Sequence, residues 1–109
     1  MSGRKEHVLD ALYATIDGRR DADPEDSWTA RLLASGVPKI ARKTGEEAIE
    51  TVVAALAEGP EALVAESADL LYHLLVLWSV RGVTPDMVWK ELQQRKRVSG
   101  LDEKASRKP

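Results

Sequence analysis

The segment from Leu70 to Val80 constrains the fold more than any other part of this 109-residue chain. It is apolar except at His73 and Ser79, and at helical spacing its apolar side chains point in every direction. A helix that is apolar all round is a buried helix, so the segment predicts a central rod that other helices must cover. A single small domain has few helices for that purpose, which favours completion by a second copy of the chain.

The remaining long segments also show helical spacing of apolar residues, and none shows the alternation typical of a strand. We therefore expect an all-α antiparallel bundle of about five helices, completed by homo-oligomerisation. The domain is predicted to cover residues 1–98, with a polar basic tail over residues 99–109. Capping residues, prolines and glycines set the boundaries. The predicted helices are roughly Glu6–Asp17, a short helix between Ser27 and Gly36, Val37–Ala57, Glu61–Arg81 and Thr84–Arg97.

Composition excludes several kinds of site. The absence of cysteine removes disulfides, thiolate metal sites and cysteine nucleophiles, and it suits a reducing cytoplasm. The net charge of −2 gives no overall attraction to nucleic acid or to an anionic membrane. We find no signal peptide, and no apolar run approaches the ~20 residues that span a bilayer. The expected location is cytoplasmic, without nucleic-acid or membrane partners.

Charge is unevenly distributed along the chain. Between Thr44 and Val80 there are seven acidic residues and no lysine or arginine, and basic residues lie on both sides. An acidic centre with basic flanks suits a metal ion that carries a phosphorylated ligand. The alternative is an ordinary solvated surface whose charges pair after folding.

Five of these acids fall at helical spacing on two successive predicted helices. The third helix carries Glu46, Glu47 and Glu50 on one face, and the fourth carries Glu66 and Asp69 on one stripe. Carboxylates taken out of water are costly unless a cation meets them, and this stretch has no basic residue. A helical hairpin could place both acidic faces around one divalent cation. The apolar face beside these acids is expected to pack on the core; it comprises Ile49, Val52, Val53 and Leu56.

Oxygen ligands favour Mg²⁺ or Mn²⁺ over zinc or copper. His73 does not form the Glu-x-x-His pair of a di-iron bundle, and we expect it to be a core residue or a neighbour of the site. Bound Mg²⁺ would favour a polyphosphate substrate and attack by water, with a spare carboxylate accepting the proton. Lys39 and Lys43 share the acidic face and could hold outer phosphates, or they form a solvated basic edge. The chain has no Gly-x-x-x-x-Gly-Lys loop, which excludes a P-loop enzyme.

Residues 39–50, KIARKTGEEAIE, and residues 66–77, ESADLLYHLLVL, closely resemble the phosphoribosyl-ATP pyrophosphatase family. That family belongs to the all-α MazG-like nucleoside-triphosphate pyrophosphatases. The superfamily's Glu-x-x-Glu … Glu-x-x-Asp pattern falls on Glu47, Glu50, Glu66 and Asp69. One departure is Trp28, which stands where a tyrosine is expected; both are large aromatic side chains.

The resemblance implies Mg²⁺-dependent hydrolysis of phosphoribosyl-ATP between its α and β phosphates, the second step of histidine biosynthesis. The products are phosphoribosyl-AMP and pyrophosphate, and the assembly is a homodimer or larger. The four pattern residues are implied as ligands of Mg²⁺, with Mn²⁺ as the alternative ion. Glu46 is a further ligand or the base that deprotonates the attacking water, and Glu47 is also a catalytic candidate. The implied phosphate-binding residues are Lys39, Lys43, Arg95, Lys104 and Arg107.

Two other functions fit the sequence. A pyrophosphatase of the same fold that removes non-standard or surplus nucleoside triphosphates would carry the same spacing of acids. A non-catalytic helical interaction module would use the apolar fourth helix to dock a partner. Substrate preference separates the first alternative, and the effect of Mg²⁺ on thermal stability separates the second.

Overall fold

The computed structural model describes residues 7–96 and confirms the all-α prediction. That range contains five helices and no strand: α1 (Val8–Asp17), α2 (Trp28–Ala34), α3 (Val37–Ala57), α4 (Pro60–Val80) and α5 (Pro85–Lys96). The predicted bounds of α3 and α4 agree with the structure to within one residue. The helix α1 begins at Val8, about two residues after the predicted start at Glu6, because His7 is extended and caps the helix. The predicted end of α5 at Arg97 and the tail over residues 99–109 lie outside the described residues.

The helix starts follow from local chemistry. Ser27 caps α2, since its Oγ accepts a hydrogen bond from the Ala30 N–H at 3.1 Å. Gly36 has a φ of 95°, a left-handed conformation that glycine adopts without strain, so the chain turns sharply from α2 into α3. His7 was not predicted to have a role, but its Nδ1 caps α1 by accepting from the Leu9 N–H at 3.0 Å.

The core forms where α1, α2 and α3 pack against the C-terminal half of α4. Its fully buried side chains come from four helices: Ile16, Leu32, Ile40, Leu75 and Val76. Burying these side chains is the main favourable contribution to folding, because each removes apolar surface from water. The core therefore lies at one end of the α3–α4 hairpin, away from the turn at Glu58 and Gly59.

The apolar face predicted for the third helix does not pack on the core, so that prediction is wrong for the single chain. Ile49, Val52, Val53 and Leu56 are between 45% and 83% exposed. The reason is that α1 and α2 pack against the other end of α4, and no third helix of the described chain covers this face. The helix α4 is likewise not buried on every side, since Leu71 is 40% exposed.

By length and mean hydropathy α4 could cross a membrane, although acidic residues interrupt its apolar sequence. The core helix of a soluble protein can pass the same test, although only 17% of the apolar window of α4 is buried within this chain. Glu66 and Asp69 lie in the same helix, and carboxylates are costly in a bilayer. Their presence favours a helix that packs against protein over one that faces lipid.

Candidate functional site

The seam between α3 and α4 has a polar middle section. On α3 the seam positions recur every three or four residues, and Ile40 and Ala54 at its two ends are buried. Between them, Thr44, Glu47 and Thr51 take positions that apolar residues would fill in an ordinary helix pair. The polar residues interrupt the apolar seam at the height where α4 carries its own acids.

Two threonines define the register of the hairpin. The Thr44 hydroxyl donates to the carbonyl oxygen of His73 at 3.4 Å, and the Thr51 hydroxyl donates to the carbonyl oxygen of Glu66 at 3.2 Å. The two pairs are seven residues apart on each helix and run in opposite directions, so α3 and α4 are antiparallel. This register brings Glu47 next to the acids of α4.

Three carboxylates meet in this section. One oxygen each from Glu47, Glu66 and Asp69 can be chosen so that all three lie within 4.8 Å of one another. Glu47 and Glu66 are half-buried and Asp69 is exposed, so the cluster opens to solvent on the Asp69 side. Glu50 lies outside this group of three but close enough to Glu66 to affect its titration.

The electrostatics of the cluster are unfavourable without a cation. Burial raises the pKa of the Glu66 carboxyl group above its ordinary value of 4.5, and the neighbouring Glu50 carboxylate raises it further, followed by Glu47 and Asp69. Oε1 of Glu47 and Oε1 of Glu66 are buried without a hydrogen-bond partner among residues 7–96. Such unpaired buried oxygens are rare in native proteins.

The donor set fits a hard divalent cation. It consists of carboxylate oxygens alone, which Mg²⁺ and Mn²⁺ prefer. The ion pairs seen among residues 7–96 use other carboxylates, so no basic side chain of the described chain neutralises this cluster. Two buried, unpaired oxygens on facing helices are what a bound cation would satisfy.

Comparison with known proteins connects this cluster to a family. A family model described as phosphoribosyl-ATP pyrophosphohydrolase matches residues 9–96, a range that contains all five helices except the first residue of α1. The chain belongs to this family. Like its relatives, it is therefore an enzyme, a hydrolase.

Three relatives illustrate how close this pyrophosphohydrolase is to curated proteins, each named phosphoribosyl-ATP pyrophosphatase. The protein of Rhodospirillum rubrum is 59% identical over 101 residues, which cover 93% of this chain and 86% of the relative. The protein of Paramagnetospirillum magneticum is 59% identical over 100 residues, 92% of each chain. The protein of Azospirillum brasilense is 54% identical over 101 residues, 93% of this chain and 91% of the relative.

The structure of this pyrophosphohydrolase places Glu46 apart from the three clustered acids. Its carboxylate lies 3.9 Å from the Arg42 guanidinium on the same helix, and the Glu46 side chain is 58% exposed. Glu46 and Glu47 are adjacent in sequence, but only Glu47 lies in the α3–α4 seam. An exposed ion pair of this kind is weak, so it leaves the Glu46 carboxylate accessible to solvent.

The basic residues predicted to contact phosphates differ in their positions. Lys39 is exposed and Lys43 is half-buried, and both lie on α3 before the clustered Glu47. Arg95 donates to the carboxylate of Glu91 on its own helix at 3.1 Å. The two remaining candidates lie outside the described residues; they are Lys104 and Arg107.

The position of His73 agrees with the prediction from the sequence, whereas the hydroxyl groups around the pyrophosphohydrolase site were not predicted. His73 is 9% exposed, and its Nδ1–H donates to the carbonyl oxygen of Asp69 at 2.8 Å, in agreement with a residue that supports the site from the core. The hydroxyls of Thr29 and Tyr72 lie 2.5 Å apart and join α2 to α4 one turn beyond Asp69. The sequence feature that could have indicated such hydroxyl groups is a polar residue at a position of the α3–α4 seam where an apolar residue is expected.

Proposed function

We propose that this pyrophosphohydrolase cleaves phosphoribosyl-ATP between its α and β phosphates, giving phosphoribosyl-AMP and pyrophosphate in the second step of histidine biosynthesis. One observation carries the proposal. Three carboxylates lie within 4.8 Å, two of them with a buried unpaired oxygen, in a chain 59% identical to proteins named phosphoribosyl-ATP pyrophosphatase. The cytoplasmic location and the absence of membrane and nucleic-acid partners belong to the same proposal.

The residues that would hold Mg²⁺ are Glu47, Glu50, Glu66 and Asp69, with Mn²⁺ as the alternative ion. The first, third and fourth form the close group, and Glu50 lies beside Glu66. When bound, the ion would neutralise charge on the phosphate oxygens and lower the pKa of a water molecule.

The chain's own residues bind the substrate and move the proton. Lys39 and Lys43 lie on the helix of the clustered Glu47 and would contact the outer phosphates, with Arg95, Lys104 and Arg107 as further phosphate contacts. Water attacks one of the two phosphorus atoms joined by the α–β bridge, and its oxygen forms a new P–O bond there. The bond from that phosphorus to the bridging oxygen breaks, and the bridging oxygen leaves on the other phosphate group, which gives phosphoribosyl-AMP and pyrophosphate. The proton of that water passes to a carboxylate, either Glu46, whose exposed pair with Arg42 would open, or Glu47.

A homodimer is the second part of the proposal. The turn end of the α3–α4 hairpin exposes an apolar surface, which we call the hairpin face and which consists of Ile49, Val52, Val53, Leu56 and Val64. Soluble monomers rarely expose several large apolar side chains on one element. Two copies that pack these faces together would also cover Val64 of α4, which is 70% exposed in the single chain.

Substrate preference tests the proposed reaction. The purified protein is given phosphoribosyl-ATP or plain nucleoside triphosphates with Mg²⁺, and the nucleotide products and pyrophosphate are identified. We expect kcat/KM to be about 100-fold higher or more for phosphoribosyl-ATP, because a site built for an extra polar group binds analogues lacking it poorly. A preference for the plain triphosphates would instead indicate a pyrophosphatase that removes non-standard or surplus nucleoside triphosphates. If Mg²⁺ does not change the melting temperature and no substrate is hydrolysed, the result would favour a non-catalytic interaction module.

A further inference from the structure

One hydroxyl group touches the backbone of two of the three clustered acids. Thr51 Oγ1 lies 2.8 Å from the carbonyl oxygen of Glu47 on α3 and 3.2 Å from the carbonyl oxygen of Glu66 on α4. The first bond is the ordinary one that a helical threonine donates to the residue four positions earlier. The second bond crosses to the neighbouring helix, and local helix geometry does not require it.

We propose that Thr51 is a positioning residue that holds Glu47 and Glu66 at the spacing needed to bind the divalent cation. The inference rests on the proposed function, since it concerns the same carboxylates. A hydroxyl has one proton, which the two carbonyl oxygens share, so the Thr51 side chain ties the two backbones together at the residues that bear the ligands. Sliding or separating the helices at this level would move the two buried Oε1 atoms apart.

The surroundings explain why such a tie is needed. The carboxylates of the cluster repel one another, and without a cation they would push α3 and α4 apart at the polar middle of the seam. On α3 the seam positions at this level carry Thr44, Glu47 and Thr51 in place of the buried apolar residues found at its two ends. Thr51 is half-buried, so water competes less for its hydroxyl than it would at an exposed position.

Thr44 provides a matched comparison in the same seam. Seven residues before Thr51, its hydroxyl lies 2.9 Å from the carbonyl oxygen of Ile40 and 3.4 Å from that of His73. Neither of these acceptors belongs to the carboxylate cluster. Removing either threonine hydroxyl deletes one cross-helix bond, but only Thr51 bonds to the residues that would hold the metal.

The experiment measures Mg²⁺ binding to the full chain by calorimetric titration for three variants, Thr51→Val, Thr51→Ser and Thr44→Val. We expect Thr51→Val to weaken Mg²⁺ binding about tenfold, as loss of a group that orients a metal ligand does. Thr51→Ser keeps the donor and should stay within about threefold of the parent, as should Thr44→Val. The hydrolysis rate of Thr51→Val should recover when Mg²⁺ is raised, because the defect is in affinity.

Two outcomes would overturn the role of Thr51: parental Mg²⁺ affinity in Thr51→Val, or an equal loss in Thr44→Val. Should Thr51→Val fail to fold by circular dichroism, Thr51→Ala and Thr51→Ser are compared, and equal affinity in that pair overturns the proposal. Glu66→Gln is titrated in parallel as the direct ligand variant. If Glu66→Gln binds Mg²⁺ like the parent, the metal assignment of the proposed function is wrong; if it alone loses binding, that assignment stands and Thr51 has no positioning role.

Discussion

At the scale of single residues, Glu66 has a carboxyl group that opposes folding and that, in the proposed function, would bind the metal ion. Its carboxyl group is half-buried and has one oxygen without a hydrogen-bond partner among residues 7–96. Burial and three neighbouring acids raise its pKa, which means that the fold disfavours its charged form. A cation that binds there relieves the repulsion, so metal affinity and metal-free stability are expected to respond in opposite directions to substitution.

We expect Glu66→Gln to stabilise the metal-free protein and to remove its response to Mg²⁺. The amide keeps the shape of the side chain and loses the charge that the neighbouring acids repel. Mg²⁺ at 100 times its dissociation constant should stabilise the parent by about 2.7 kcal/mol, a gain that thermal melts detect. Activity should fall about 100-fold or more, since even groups behind the ligands can cost that much.

The matched control for this substitution is Glu61→Gln. Glu61 is an exposed acid in the first turn of the same helix and lies outside the cluster. The substitution Glu61→Gln should leave the Mg²⁺-dependent shift in melting temperature unchanged. Equal shifts for the parent and Glu66→Gln would contradict the assignment of Glu66 as a ligand.

The raised pKa of Glu66 also fixes the sign of a pH dependence. The folded state binds the Glu66 proton more tightly than the unfolded state does. The loss of folding stability caused by ionising Glu66 is therefore absent below pH 4.5 and grows as the pH rises from there toward the raised pKa. Metal-free parent protein should therefore lose stability relative to Glu66→Gln as the pH rises above 4.5 toward the raised pKa. Mg²⁺ affinity should rise over the same interval, because the ion competes with protons. Urea unfolding at several pH values measures the first effect, and a constant difference would contradict it.

At the scale of helices, a polar clamp joins α1 to the C-terminal end of α4. Ser79 is fully buried, its hydroxyl donates to Asp17 Oδ1 at 3.0 Å, and it accepts from Arg20 Nη2 at 3.0 Å. Arg20 also contacts the Ser79 carbonyl oxygen and donates to Asp17 at 3.1 Å. Asp17, Arg20 and Ser79 form hydrogen bonds with one another, so the clamp holds the C-terminal end of α1 against α4.

Ser79→Ala should destabilise the protein by about 1–2 kcal/mol, because it removes one partner from each of two polar groups that remain beside a buried position. The matched control is Ser67→Ala on the same helix, where no hydrogen bond of the hydroxyl is seen among residues 7–96. That control should change stability by less than about 0.5 kcal/mol. Chemical denaturation measures both, and equal effects would mean that the clamp contributes nothing specific.

At the scale of the whole molecule, the dimer that we propose would have twice the chain mass of 12.0 kDa. Leu56 is 83% exposed in the single chain, so Leu56→Glu should not disturb a monomer. In a dimer the same substitution buries an unpaired charge, and we expect the dissociation constant to rise about 100-fold or more. Light scattering after size exclusion measures the mass.

The control for the dimer uses an exposed apolar residue away from the hairpin. Met87 on α5 is 55% exposed, and Met87→Glu should leave the mass unchanged. A parent protein of monomeric mass, or a variant Leu56→Glu that stays dimeric, would contradict an interface at the hairpin face.

The amino-acid pattern alone predicts five helices, which residues 7–96 confirm, and it places the ends of α3 and α4 to within one residue. Helix starts are local, because a capping side chain such as Ser27 or an early proline such as Pro38 acts on the backbone within one turn. Acids at three- and four-residue spacing must share a helix face, whatever the rest of the chain does. Family resemblance depends on the same short-range patterns, and the family match confirmed it.

The packing of the helices sets which neighbours those acids have. It placed Glu47 in the seam and left Glu46 at the surface beside Arg42. It also left the hairpin face uncovered where the sequence predicted core packing, and it brought Thr51 to the Glu66 carbonyl. These outcomes depend on the register of two helices and on which segments remain to cover them. That register is set by side chains far apart in the chain, so no local pattern encodes it.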